Sequence, residues 1–255
     1  MKLLIKLGGT LVDDAGSRER LAREITGIAS RASTVVVHGG GKQMTRFLTD
    51  RGIESRFVNG LRVTTPEILD AVLKVFAGSV NSQLVSTFRA VGARPVGLTG
   101  LDAGLVDAEP LNGDLGHVGR PVRSDASLLN LLTREKFVPV IACVAGDPGG
   151  AIYNVNADQM AVACATAFHA DKLIFLTDVE GVRDAGGQTR EALTSAQALQ
   201  LIADGVASGG MQAKLEAAAA ALGQRVAEVI IAPGAREGVL GQLLTGVRVG
   251  TRITA

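Results

Sequence analysis

The chain has 255 residues, with 26 lysines and arginines against 25 aspartates and glutamates and a formal net charge of +1 at pH 7. A chain of this length can bury about three quarters of its unfolded surface, as one large α/β domain or as two lobes sharing a sheet. No window concentrates like charges, so nothing suggests a nucleic-acid groove or a membrane-surface patch, and any anion must be met by a few placed groups.

In chain order, an apolar run over residues 3–5 is closed by Lys6-Leu7-Gly8-Gly9. It is too short for a signal-peptide core or a spanning helix, which suggests a cytoplasmic chain. A helical period follows over residues 17–31, then a strand over 35–38 ending in His38-Gly39-Gly40-Gly41, then a helix over 42–51. Residues 57–63 predict a hairpin around an Asn59-Gly60 type I′ turn, a candidate lid, and Thr65-Pro66-Glu67 caps the helix beyond it. Four more strands are expected over residues 93–98, 137–143, 173–176 and 226–231, with a β-ribbon over 105–121 and a flexible stretch over 146–150. These four are nearly all apolar. Strands without polar alternation are covered on both faces, so the expected fold is α/β: a three-layer αβα sandwich around an open, mainly parallel central sheet. The cysteines, Cys143 and Cys164, form no C-x-x-C pair and read as small buried hydrophobes in a reduced compartment, with no metal site predicted.

Ligands of such sheets bind outside the carboxyl ends of the strands, where Gly8-Gly9, Gly39 to Gly41 and Thr177-Asp178 all fall. Glycine permits tight turns and close approach to backbone N–H groups, so these turns can hold an anion; each alone can also be only a strand-to-helix turn. Neither matches a Walker A loop or a dinucleotide fingerprint. Lys6 interrupts a strand that should be buried, so it needs an anionic partner or an outlet into the crevice. Asp158 falls in the first turn of a buried helix, where a carboxylate serves equally as a capping acid. Lys214 stands one turn into an alanine-rich helix, at the end where the dipole disfavours a cation; it is either functional or a solvated surface lysine.

Together, Lys6-Leu7-Gly8-Gly9, Val37-His38-Gly39-Gly40-Gly41, Asn59-Gly60-Leu61-Arg62-Val63-Thr64, Asn154-Val155-Asn156-Ala157-Asp158, Thr177-Asp178-Val179 with Gly181, and Gly210-Met211 with Lys214 make a pattern far more specific than any part. The chain resembles, end to end, the acetylglutamate kinases of the amino-acid kinase superfamily. Aspartokinases begin with a Lys-Phe-Gly-Gly-Thr-Ser pattern that Thr10 echoes only faintly, and uridylate and glutamate 5-kinases share the fold and not the Asn-Gly-Leu-Arg hairpin.

The resemblance implies transfer of the γ-phosphoryl of MgATP to the γ-carboxylate of N-acetyl-L-glutamate in arginine biosynthesis. It implies catalytic roles for Lys6, Lys214 and Asp158, with Gly8 and Gly9 at the transferring phosphoryl and Gly40, Gly41, Arg62 and Asn154 on the acid. ATP would lie against Thr177, Asp178, Val179, Gly181, Val182, Val206, Ala207, Ser208, Gly210 and Met211, with Mg2+ held mainly through ATP. An acid-binding and dimerisation lobe would span residues 1–170 and an ATP lobe 171–255. A homodimer is expected through the helical stretch over residues 66–90, whose middle carries the small residues Ala77, Gly78 and Ser79. Arginine-sensitive relatives carry a helix ahead of the first strand; with Met1 next to that strand, insensitivity to arginine is expected. The alternatives are a same-fold kinase for N-acetyl- or carrier-linked aminoadipate or for N-succinylglutamate, and a non-catalytic ligand-binding relative.

Overall fold

The computed structural model describes residues 1–255. In chain order the strands are β1 (Lys2–Leu7), β2 (Ser33–His38), β3 (Phe57–Val58), β4 (Leu61–Arg62), β5 (Pro95–Thr99), β6 (Val106–Pro110), β7 (Val118–Ser124), β8 (Val138–Ala142), β9 (Val144–Gly146), β10 (Ile152–Val155), β11 (Lys172–Thr177), β12 (Ala192–Thr194), β13 (Glu228–Pro233) and β14 (Thr251–Thr254). Eight of them form one sheet in the order β12-β14-β13-β11-β1-β2-β8-β5. All its neighbours are parallel except β13 and β14.

The chain chemistry explains this arrangement. The central strands β1, β2, β8, β11 and β13 are buried almost throughout, as their unbroken apolar runs require. On one face the helices Ala157–Phe168, Ser195–Ala203 and Gly209–Gly223 pack together, and on the other Ala15–Ala29 packs with Asn81–Ala90 and Val239–Leu244. This is the expected three-layer sandwich. The stretches before and after residue 170 share the sheet, because β11 pairs directly with β1.

Several elements depart from expectation. Residues 144–146 and 152–155, the first overlapping the stretch expected to be flexible, are strands β9 and β10. They close a small four-stranded barrel with the β6–β7 ribbon. Asp147 braces the turn between them, its carboxylate accepting from the Ala151 N–H at 3.0 Å and the Tyr153 hydroxyl at 3.0 Å. The edge strand β12 and its neighbour β14 are too short and polar to stand out in the sequence. The expected hairpin forms, with Asn59 at φ 49° and Gly60 at φ 78°, the positive pair that a type I′ turn requires.

The long helix from Pro66 to Ala90 starts as expected on Thr65, whose hydroxyl accepts from the Ile68 N–H at 3.3 Å. Its middle, Leu73–Val80, is wound as a π-helix. The helix is long and apolar enough by composition to cross a bilayer, with a mean hydropathy of 1.3. Its Ile68, Val72, Val75, Phe76, Leu84 and Phe88 are core residues, which accounts for that apolarity without a membrane.

Candidate active site

β1, β2 and β11 end side by side, with Leu7 opposite both His38 and Leu176. Their carboxyl ends open on a cavity of about 690 Å³ lined by Gly8, Gly9, Gly39, Gly40, Gly41, Thr177 and Asp178. Beyond the turns, Gly9–Asp13 and Gly41–Thr49 are helices. Neither helix has a side-chain cap, and the N–H groups of Gly9, Gly40 and Gly41 find no backbone acceptor. Four other helix starts are capped by the side chains of Asp14, Thr65, Asn156 and Thr194, while Ser127–Arg134, Gly209–Gly223 and Val239–Leu244 also lack such a cap. Free N–H groups at adjacent helix starts draw an anion by direct hydrogen bonding and by the dipole. Gly40 must be glycine, since a Cβ there would come within 2.8 Å of the Phe76 ring.

Lys6, Asp158 and Lys214 meet at the inner end of this cavity. Lys6 Nζ is 2.7 Å from Asp158 Oδ1 and Lys214 Nζ is 3.3 Å from Asp158 Oδ2. The Lys6 contact is close but poorly angled for a hydrogen bond, so it acts mainly through charge. Asp158 is freed for this by its neighbour. Asn156 caps the helix Ala157–Phe168, its Oδ1 accepting from the N–H groups of Asp158 at 2.8 Å and Gln159 at 3.2 Å. Asp158 is therefore not the capping acid. Burial pushes its carboxyl pKa up, but Lys6 and then Lys214 pull harder and hold it below the usual carboxylate range. Two cations on one carboxylate leave a positive balance facing the cavity.

Arg62 also lines the cavity. It is 9% exposed, stacks 4.6 Å from the Phe57 ring, and donates to Thr45 Oγ1 at 2.7 Å and to the Ser55 hydroxyl. Burial lowers its pKa, though a guanidinium stays charged at any working pH. No carboxylate pairs with it, so its partners are neutral hydroxyls, the Gly41 carbonyl at 3.5 Å and a ring. A buried cation so placed favours an anionic ligand.

Other candidates lie elsewhere. Asn154 does not line the cavity; its Nδ2 donates to Thr64 Oγ1 at 3.0 Å and so ties β10 to the root of the hairpin. Thr177 and Asp178 are in the wall, whereas Val179, Gly181, Val182, Val206, Ala207, Ser208, Gly210 and Met211 are not. Val182 and Ala207 are buried, and the Val182 N–H donates to Thr251 Oγ1 at 2.8 Å. Ser208 N-caps the helix Gly209–Gly223 by position only, which leaves that helix start uncapped one turn before Lys214.

Sequence reasoning missed Phe57, Lys42, Thr45 and Arg46, all in the cavity wall. Phe57 was legible, because a two-residue turn at Asn59-Gly60 fixes its pairing with Arg62. Lys42, Thr45 and Arg46 follow from helix geometry, since residues at this spacing after Gly41 share the face that lines the cavity. Cys143 and Cys164 are buried and unpaired, and burial pushes both thiols up to about 12, which makes them inert.

Comparison with known proteins bears on this geometry. Residues 1–233 match the model of the amino acid kinase family. The acetylglutamate kinase of Solibacter usitatus (strain Ellin6076) is 60% identical over 256 residues, covering 99% of each chain. The acetylglutamate kinase of Bartonella tribocorum is 41% identical over 99% of this chain and 89% of its own. Among solved structures, the N-acetylglutamate synthase from Neisseria gonorrhoeae complexed with coenzyme A and N-acetyl-glutamate superposes with a TM-score of 0.89 at 25% identity. This chain is matched in full and spans 59% of the synthase. An isopentenyl phosphate kinase, with a TM-score of 0.70 at 24% identity and full coverage of both chains, shares the fold. The chain belongs to the acetylglutamate kinases of the amino acid kinase family.

Proposed function

We propose that the protein transfers the γ-phosphoryl group of MgATP to the γ-carboxylate of N-acetyl-L-glutamate, giving N-acetyl-L-glutamyl 5-phosphate for arginine biosynthesis. The observation that carries this reading is the joining of Lys6 and Lys214 by Asp158 in one cavity with the two glycine turns and Arg62. A γ-carboxylate is ionised at neutral pH, so no base is needed. One of its oxygens attacks the γ-phosphorus, the bond from that phosphorus to the β–γ bridging oxygen breaks, and ADP leaves with the bond pair. The difficulty is electrostatic, because two anions must be held in line while charge spreads over the equatorial oxygens of the moving group.

Each residue then has a task. Lys6 and Lys214 grip the phosphoryl from either side, and Asp158 orients both. The free N–H groups of Gly9, Gly40 and Gly41 form a preorganised oxyanion site. Arg62 forks onto the α-carboxylate, and Asn154 acts through Thr64 by steadying the hairpin. The nucleotide lies along Thr177, Asp178 and the uncapped start of the helix Gly209–Gly223, so that residues 1–170 serve the acid and 171–255 serve ATP.

Magnesium fits as a companion of the nucleotide. No cluster of three or more His, Cys, Asp or Glu side chains could chelate a bare ion, so phosphate oxygens and water would supply most ligands, with Asp178 placed to hold one of the waters. When bound it neutralises charge on the β- and γ-phosphates.

A second reading has its own support. Lys42 adds a cation to the wall, whereas Arg46 is already paired with Asp13; a free cation there would suit an acid with a further carboxylate, such as N-succinylglutamate. A coupled ADP-release assay across N-acetylglutamate, N-succinylglutamate, N-acetylaminoadipate, aspartate and carbamate separates the readings. The fastest turnover with N-acetylglutamate supports the first, and no stimulation by any acid leaves only a binding role.

The protein would pair as a homodimer through the helix from Pro66 to Ala90, where half-buried Ala77 and Gly78 and exposed Ser79 allow a second copy to approach closely. Light scattering at twice the chain mass is the expected result.

A further inference from the structure

Beneath the glycine turn lies a buried polar chain that the reaction scheme above does not use. His38, the last residue of β2, is fully buried, and Asn81, just after the π-helical segment, is 6% exposed. Asn81 Nδ2 donates at 2.9 Å to the Val140 carbonyl of β8 and lies 3.0 Å from His38 Nε2. A carbonyl oxygen only accepts, so the nitrogen of the Asn81 amide must be the atom that faces Val140. Its second hydrogen then points at His38 Nε2, which must accept it. Burial lowers the His38 pKa to about 4, so the ring is neutral and its single proton sits on Nδ1. From there it donates to the Gly39 carbonyl at 2.8 Å.

That last bond determines where the turn points. The Gly39–Gly40 peptide is trans, as no cis bond occurs in the chain. In a trans peptide the carbonyl and the N–H that follows it point in opposite directions. Holding the Gly39 carbonyl toward the ring therefore sends the Gly40 N–H away from it, and that N–H has no acceptor in the protein. Glycine by itself would leave this peptide free to rotate. The Phe76 ring and Val80, both from the π-helical segment, occupy the side of Gly40 where a side chain would stand. A π-turn is the kind of local irregularity that re-aims side chains at functional sites.

We propose that Asn81 and His38 are positioning residues that lock the Gly39–Gly40 peptide with its Gly40 N–H aimed into the cavity, through the chain Val140 carbonyl, Asn81 amide, His38 imidazole and Gly39 carbonyl. The contribution to phosphoryl transfer rests on the activity proposed above, whereas the ring geometry does not depend on it.

Two measurements test this. Nitrogen-15 NMR of the imidazole rings in the intact wild-type protein, with His38 assigned by its absence from His38→Gln, should show His38 protonated at Nδ1 and bare at Nε2; the opposite tautomer overturns the proposal. Asn81→Leu removes the donor to Nε2 without adding a charge, so nothing then holds the ring's single proton on Nδ1 against the Gly39 carbonyl. Its kcat should fall about tenfold or more, the order expected when a reacting geometry loosens, with KM for ATP and for the acid within about twofold of wild type. A variant that melts earlier yet keeps wild-type kcat marks the pair as structural and overturns the proposal. Should Asn81→Leu fail to fold, the wild-type tautomer decides; should no acid stimulate wild-type ADP release, the activity reading fails and the tautomer still decides this one.

Discussion

Asp158 holds Lys6 at 2.7 Å inside the core, near the carboxyl end of a strand whose residues between Lys2 and Lys6 are all apolar. Neither charge would be stable there alone, and the second oxygen of the same carboxylate receives Lys214 from a distant helix. Asp158→Asn strands two cations beside each other. The expected loss is about 3–5 kcal/mol in stability, together with a large drop in kcat. Urea unfolding and steady-state kinetics on the same preparation check both; a kcat within threefold of wild type would remove Asp158 from the account.

Lys6→Ala and Lys214→Ala should each lower kcat by about a hundredfold or more, the usual effect of deleting one preorganised donor to developing charge. KM for ATP should change far less. A Lys214→Ala enzyme with raised KM for ATP and intact kcat would make that lysine a nucleotide anchor instead.

Arg62→Lys keeps the charge and loses the planar fork and the stacking on Phe57. KM for the acid should rise at least about tenfold with a smaller change in kcat, because a point charge cannot hold a carboxylate in bidentate fashion. Equal loss in kcat and in kcat/KM, with KM unchanged, would place Arg62 on the transition state.

His38 predicts a pH dependence of stability. Burial lowers its folded pKa to about 4 from an ordinary 6.5. Between those values the unfolded chain binds more protons than the folded one, so its contribution is complete above pH 6.5 and is lost as the pH falls toward 4. The loss reaches about 3 kcal/mol. Asp158, whose pKa lies below 3.8, gives way only at lower pH still. Denaturation midpoints from pH 7 down to pH 4.5 should fall steeply for wild type and more gently for His38→Gln; parallel slopes would contradict the assignment.

Much of this was legible in the sequence where one residue broke a strong local pattern. Lys6 in an apolar strand demanded a partner, and glycines after β1 and β2 marked the strand ends that line the cavity. The Asn59-Gly60 turn fixed the hairpin and, through its register, the pairing of Phe57 with Arg62. The long-range contacts were not legible. Nothing near Asn81 in sequence points to His38, and Asn154 gave no sign that it bonds to Thr64 rather than facing the cavity. The four-stranded barrel was hidden for a similar reason, since β9 is three residues long and the barrel closes on β6 and β7 from residues 106–124.

The most direct test of the central claim is to incubate the protein with ATP, magnesium, N-acetyl-L-glutamate and hydroxylamine, and to measure hydroxamate against ADP. Phosphoryl transfer to the γ-carboxylate predicts equal amounts of N-acetylglutamyl hydroxamate and ADP, both abolished in Lys6→Ala. ADP release without hydroxamate would mean hydrolysis of ATP by water and would contradict the account.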